Sequence, residues 1–376
     1  MRIKRWGIAG RAALYCAAIA TVFGIAATLV ASLQPDTPNP IGFGRARTAY
    51  YQADPRRFDM VFLGDSRTYC GIHADLIDPL VGRRSINLSA FAHWLPAQYA
   101  QLRDIADDIA PGTVVVLSVG HQNFDPSPIQ RSYPISLANA ARLVALGVSP
   151  MELADNVAWA HRPQRLTAER GALRDRVLAF AGLREAPAPI AVIPGQANIA
   201  AVPDALAVQA ATLLGEWRGK PGVADAQVTI DEGRITSVAI IRTGGSYYRV
   251  ETDPAYFRAR QTPAKADPAD FAWTPDPARL RIFEAMLDLL RERGIATIVN
   301  EMEEAPHLYG GDAMRAKYRD AMDRHIRPRV AARGFPYTRV DFDRFGDDDY
   351  FDYNHLNSRG IERFTPMLAE QLRGLL

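Results

Sequence analysis

The chain is poor in cysteine, with two in 376 residues, Cys16 and Cys70. That excludes a disulfide framework. Cys16 lies in an apolar run and Cys70 follows a turn, so both read as small apolar residues rather than a redox pair. An excess of charge of either sign is also lacking. Lys and Arg number 44 against 42 for Asp and Glu, a formal net charge of +2. Neither a nucleic-acid partner nor an acidic tail is implied. Metal patterns are missing as well. No His-x-x-x-His and no paired cysteines suggest zinc. The acidic run Asp341, Asp343, Asp347, Asp348 and Asp349 fails as a calcium loop, because Phe345 occupies the third ligand position before Gly346. It reads as a solvated loop, and neither metal nor cofactor is expected.

What the chain does have, at its start, is a long apolar run. Arg2, Lys4, Arg5 and Arg11 precede Ala12 to Leu33, which matches the roughly 20 residues that span a bilayer. The basic flank keeps the amino end cytoplasmic. A cleaved signal peptide competes with this reading, but its apolar region is normally shorter and no clear Ala-x-Ala site follows. Tyr15 before Cys16 does not fit a lipoprotein signal. The expectation is a single-pass anchor in the inner membrane. Residues 1–11 form a cytoplasmic basic segment, 12–33 the transmembrane helix and 34–56 a linker, extended over Gln34 to Pro40 by three prolines. Residues 57–376 then lie outside the cytoplasm, in the periplasm of a Gram-negative cell.

The globular part is organised around Asp59-Met60-Val61-Phe62-Leu63-Gly64-Asp65-Ser66-Arg67-Thr68. Met60 to Leu63 has the length of a buried strand, and Gly64 ends it. Leu76, Leu80 and Val81 give a weak helical face beyond. Strand, turn and helix would place Ser66 at the carboxyl end of a strand, where free N–H groups favour negative charge. That suits a nucleophile whose reaction passes through an oxyanion. An ordinary helix-capping serine is the plainer alternative.

Four more strands follow. Arg84 to Leu88, Val114 to Val119, Ile295 to Val299 and Tyr337 to Val340 are short and apolar, the second being continuous and β-branched. Helices over Ala97–Ile109, Pro277–Arg293 and Met314–Ala332 alternate with them. This pattern predicts an α/β fold with a parallel sheet of about five strands and ligands at the strands' carboxyl ends. Ser66, Ser89 and Asn123 fall at such ends. A last helix carries Ile361, Phe364, Leu368 and Leu372 on one face, with Ser358 as its expected N-cap. In the loop before it, Asp352 and His355 stand three residues apart, a spacing at which a carboxylate can fold onto an imidazole and fix its tautomer.

The two ends together resemble the SGNH, or GDSL, hydrolase family. There the serine of a Gly-Asp-Ser block is the nucleophile, and a C-terminal Asp-x-x-His block supplies acid and base. The resemblance covers about Phe58 to Phe124 and Ala278 to Leu376, and implies a three-layer fold. It carries Ser66, Asp352 and His355 into those catalytic roles. In the family two further oxyanion donors come from a Gly in a second block and an Asn in a third. The third block here reads Gly-His-Gln-Asn. Asn123 or Gln122 could be that donor; Asn123 is preferred, with His121 behind the site or at the surface. In the second block Ser89, Ala90 and Ala92 stand where a Gly is expected. Any of their backbone N–H groups could serve, with Ser89 the first candidate.

An exported, anchored chain with an Asp-x-x-His-Leu-Asn block is similar to bacterial exopolysaccharide O-acetylation proteins, of which the alginate proteins are best known. That implies acetyl transfer to, or removal from, a surface polysaccharide, with the donor handed over by a membrane partner, a membrane-bound acyltransferase. A non-catalytic envelope assembly protein with a remnant triad is the other reading. Phe91, His93, Trp94, Phe124, Tyr350, Phe351 and Tyr353 lie near the motif loops; aromatic faces suit sugar rings, but aromatics also fill cores. Between the two motif regions, Ala138 to Leu183 reads as helices and Ala186 to Pro189 as a linker. From Ala226 the alternating pattern and turn signals predict a small β-hairpin or meander. Residues 184–250 therefore read as an insertion, either a lid or packing piece or a contact for a polymer or partner.

Overall fold

The computed structural model describes residues 42–127, 129, 132–160, 204–218, 220, 223–231, 234–242, 247–251, 273–309, 312–350 and 354–376. In chain order they form helix α1 (Gly42–Ala53), strand β1 (Met60–Leu63), helices α2 (Ser66–Gly71) and α3 (Ala74–Val81), strand β2 (Ser85–Asn87), helix α4 (Leu95–Ile105) and strand β3 (Val114–Val119). Helices α5 (Leu137–Ala145), α6 (Pro150–Ala160) and α7 (Asp204–Arg218) lead to strands β4 (Val223–Asp231), β5 (Arg234–Arg242) and β6 (Tyr247–Glu251). Helix α8 (Pro277–Glu292), strand β7 (Ala296–Glu301), helices α9 (Asp312–His325) and α10 (Arg327–Ala331), strand β8 (Tyr337–Arg339) and helix α11 (Ser358–Arg373) complete the described chain.

Five strands form one sheet in the order β2-β1-β3-β7-β8. Every pairing in it is parallel, with Val61 opposite Ile86 and Val115, and Val299 opposite Tyr337. Successive side chains leave a strand on opposite faces, and here both faces are covered. Val61, Leu63, Val115 and Leu117 join one core with Leu102 and Ile105 of α4 and Phe283 and Leu290 of α8. Met60, Phe62, Val114 and Val116 join another with Ile77 of α3 and Ile361, Phe364 and Leu368 of α11. Helices therefore sandwich the sheet. Burial on both faces is why β1 and β3 are apolar without alternation.

Three local expectations change. Part of the segment expected as a linker, Gly42–Ala53, is helical, and its Thr48 and Tyr51 are buried. The helix expected over Met314–Ala332 is split into α9 and α10 around Ile326, where Pro328 has no N–H to donate. Helix α11 is capped by Asn357, whose side chain accepts from Gly360 N–H at 3.0 Å, so Ser358 is its first helical residue rather than its cap.

The expected meander is present. Strands β4, β5 and β6 pair antiparallel in a separate sheet. Ala226, Val238 and Ile240 bury a small apolar cluster there with Leu213 and Leu214 of α7, a helix the sequence patterns did not announce. The backbone of β6 runs beside α2 and α11. No helix among the described residues is long and apolar enough to cross a membrane. The run expected to do so, Ala12 to Leu33, lies outside them, as does the expected linker at Ala186–Pro189.

Candidate active site

The turn after β1 shows why Gly, Asp and Ser stand together. A Cβ on Gly64 would overlap the Thr68 side chain, so only glycine fits. Asp65 is the N-cap of α2: its Oδ1 accepts from Arg67 N–H at 2.9 Å. The helix therefore does not need the Ser66 hydroxyl as a cap, which removes the plainer explanation for this serine. Ser66 is the first helical residue and half-buried. Asp65 O takes Tyr69 N–H at 2.9 Å, and among the described residues no hydrogen bond takes the Ser66 N–H. A hydroxyl and an adjacent backbone N–H are thus presented at the end of a central strand.

Beneath Ser66 lies a buried polar cluster. Arg67, the largest fully buried side chain among the described residues, donates from Nε to Asp65 Oδ1 at 3.1 Å and pairs with Asp65 Oδ2 through Nη2. Its Nη1 meets Glu304 Oε1 at 2.5 Å, and its Nη2 donates to Asn123 Oδ1 at 2.8 Å. Asn123 Oδ1 also takes Gly120 N–H at 2.8 Å, while its Nδ2 donates to Asp65 Oδ2 at 3.0 Å. Glu304 Oε2 lies 3.1 Å from His121 Nδ1 and accepts from the Tyr309 hydroxyl. One guanidinium so ties together the loops after β1, β3 and β7. A Cβ on Gly120 would overlap that guanidinium and Met302 O, which explains the glycine of the third block.

The charges in this cluster hold one another. Burial pushes Glu304 up, but His121 and Arg67 outweigh it and leave the carboxyl at about 2. Burial likewise opposes ionisation of Asp65, and the Arg67 charge with its hydrogen bonds still holds that carboxyl below its usual range. Both carboxylates remain charged at neutral pH, and Arg67 between them is held still more firmly protonated.

The second block is equally tied down. Asn87, at the end of β2, donates from Nδ2 to Thr68 O at 2.9 Å and Ile72 O at 2.8 Å, and its Oδ1 takes Ser89 N–H at 3.0 Å. It thereby closes the end of α2 and its own loop at once. Arg47 of α1 donates to Asn87 O at 2.8 Å and to Ser89 O, with its guanidinium 4.4 Å from the centre of the Tyr69 ring. Ser89 is fully buried with its N–H already used, so it does not offer the expected oxyanion donor. Three residues on, Ala92 has φ +49°, the one positive value at a non-glycine among the described residues. That is the left-handed backbone a glycine adopts most easily, and it falls at one of the positions where the resemblance expects a glycine.

His355 stands in the loop before α11 and is half-buried. Its ring meets Phe91 edge-on, with centroids 6.0 Å apart, and Phe91 meets Tyr69 of α2 at 5.0 Å. Gly71 of α2 faces Leu356, the residue after His355; a Cβ there would lie 3.7 Å from Leu356 Cδ1. The helix that begins with Ser66 and the loop that carries His355 are therefore neighbours. Asp352 lies outside the described residues, as do Phe351 and Tyr353.

Several other expectations change here. Of the two places open to His121, the one behind the site holds: it is buried, its ring centroid 4.1 Å from that of Tyr318. Gln122 is half-buried, whereas Asn123 is buried within the ion cluster. His93 is unavailable for stacking on a sugar. Its Nε2 donates to Gln101 Oε1 at 2.8 Å, its Nδ1 accepts from the Ser132 hydroxyl at 3.0 Å, and burial lowers it to about 4, a neutral imidazole. Phe124 and Tyr350 are core residues. Phe91 and Trp94 keep some exposure. Asp349, expected in a solvated loop, is buried and paired with Arg363 at 2.5 Å and Arg359 at 3.2 Å. Sequence reasoning passed over Arg67, Glu304 and Arg47. The one local signal was an arginine directly after the candidate nucleophile, two residues from Asp65 and just past an apolar strand. Set beside known proteins, the chain matches no protein-family model and no curated protein.

Proposed function

We propose that this chain is an SGNH-type serine acyltransferase or esterase acting outside the cytoplasm on the acetyl groups of a surface polysaccharide. The observation that supports it best is the placement of Ser66. It sits at the carboxyl end of a central parallel strand, is not needed as a cap, and begins a helix packed beside the His355 loop. In this reading His355 takes the Ser66 proton as Oγ attacks the acyl carbonyl, and Asp352 orients the imidazole. The tetrahedral oxyanion is met by the Ser66 N–H, a backbone donor in Ala90–Ala92 and the second Nδ2 hydrogen of Asn123, the first being bonded to Asp65. The donor alcohol leaves with the proton, forming acyl-Ser66. Water or a sugar hydroxyl then attacks that ester, giving up its proton to His355, and Ser66 regains one. The donor would be handed over by a membrane partner, a membrane-bound acyltransferase, with the chain held beside it by the Ala12–Leu33 anchor.

A fluorophosphonate probe tests the reading. Labelling of the wild type and not of Ser66→Ala supports it. A chromogenic acetyl ester assayed with and without oligosaccharide then separates transfer from hydrolysis. Acetylated sugar and faster turnover on adding acceptor mean transfer.

A second reading, a non-catalytic assembly protein, draws on one observation. Ser89 N–H and one Asn123 Nδ2 hydrogen, at two expected oxyanion positions, are already bonded inside the protein. Equal absence of labelling in wild type and Ser66→Ala would favour it.

A further inference from the structure

We propose that Arg67 is a positioning residue for the oxyanion site, setting the Ser66 peptide and the Asn123 carboxamide relative to each other from below. This rests on the acyl-Ser66 reading and extends it to residues that touch no substrate.

The argument is geometric. Ser66 lies between Asp65 and Arg67, and these two are clasped to each other by backbone and side chain alike: Arg67 N–H and Nε both reach Asp65 Oδ1, at 2.9 and 3.1 Å. The peptide that ends in the Ser66 N–H is therefore held at both ends. The same guanidinium donates to Asn123 Oδ1, alongside Gly120 N–H. Two donors on Oδ1 leave one orientation for the carboxamide, with Nδ2 turned toward Asp65 and the nucleophile turn. Glu304 anchors the far side of the guanidinium at 2.5 Å and is itself held by His121 and Tyr309. A planar fork can satisfy Asp65, Asn123 and Glu304 at once; an ammonium on a flexible stem cannot hold that geometry. An oxyanion site depends on donors fixed before the reaction, so a small reorientation costs rate without weakening ground-state binding.

The test uses the full chain with Arg67→Lys and Glu304→Gln, following the fluorophosphonate labelling rate, kcat and KM on a chromogenic acetyl ester, and cooperative melting. For both variants the expected result is a labelling rate and kcat lower by about tenfold or more, a KM within about twofold of wild type, and labelling that still runs to full stoichiometry. The loss should also shrink in an Asn123→Ala background, because the effect passes through that side chain. Wild-type labelling rates in folded Arg67→Lys and Glu304→Gln would overturn the proposal, as would an undiminished loss in the Asn123→Ala background. If Arg67→Lys does not fold, Glu304→Gln decides. Unfolding of both variants would equally overturn it, the cluster then serving the fold rather than the site. These failures leave labelling of Ser66 intact. Equal labelling of wild type and Ser66→Ala instead removes the acyl-enzyme reading, and the proposal with it.

Discussion

Replacing the Ser66 hydroxyl by hydrogen takes nothing from the fold, because Asp65 caps α2 and the hydroxyl is not one of its bonds. Ser66→Ala and His355→Ala should each lower ester turnover by several orders of magnitude, Ser66→Ala with an unchanged melting curve. The double variant should lose little more, since the groups act as a unit. Asn123→Ala differs. It should lower kcat by about 3 kcal/mol, roughly a hundredfold, as an oxyanion donor. It should also lower the melting temperature, because Arg67 and Gly120 N–H lose a buried acceptor. Gln122→Ala should be milder on both counts; the reverse order would move the donor. Glu304 gives a pH test with a definite sign. Its folded carboxyl is held at about 2 against an ordinary 4.5, so its contribution is present above about 4.5 and lost as pH falls toward 2. Glu304→Gln should be less stable at pH 7, by on the order of 3 kcal/mol at most. The gap between the two melting curves should close on acidification. A gap that stays constant from pH 7 to pH 3 would contradict the assignment. Ser66 and His355 could be singled out as candidates from the sequence because their motifs are local. The sequence hid the Arg67–Glu304 pair because the partners stand 237 residues apart and no local pattern joins them.

Strands β1 and β3 were legible because burial on two faces leaves an uninterrupted apolar run, and only a covered parallel sheet asks for that. The ends of the helices were less so. Asn357 and Ser358 are both good caps by residue type. What selects Asn357 is its second function: its Nδ2 donates to Asp348 O at 2.7 Å and Tyr350 O at 3.3 Å, bonds a serine could not make. Asn357→Ala should therefore cost about 1 kcal/mol for the cap and further for the two carbonyls left buried. Ser358→Ala should stay within roughly half a kcal/mol. Chemical denaturation of the two variants gives the comparison; equal losses would return the cap to Ser358. Because Asn357 also ties the His355 loop to α11, its loss should depress turnover as well as stability. Helix α1 escaped notice for another reason. Its sequence has a polar and glycine-containing start, and its contribution is made by Arg47 reaching the second block, a tertiary contact with no periodic trace.

At the scale of the molecule, the chain between the two motif regions is a separable question. Among the described residues the meander shares no strand pairing with the parallel sheet, and its buried residues Ala226, Val238 and Ile240 form a cluster of their own with α7. The described members of the main cores, by contrast, come from elements on either side of it. Replacing residues 184–250 by a Gly/Ser linker should thus leave a cooperative melting transition, because loop-closure cost grows only slowly with length. The β6 backbone nevertheless runs beside α2 and α11, the two helices that border Ser66 and His355. Excision therefore opens one flank of the candidate site while sparing its chemistry. Turnover of a small acetyl ester should persist within several-fold, as should fluorophosphonate labelling of Ser66. Action on an oligosaccharide or polymer should fall more steeply if that flank guides the acceptor. Equal loss on small and large substrates, with the melting transition kept, would mean that β6 supports the catalytic helices themselves. Loss of the transition altogether would place the segment in the core and refute its reading as an insertion.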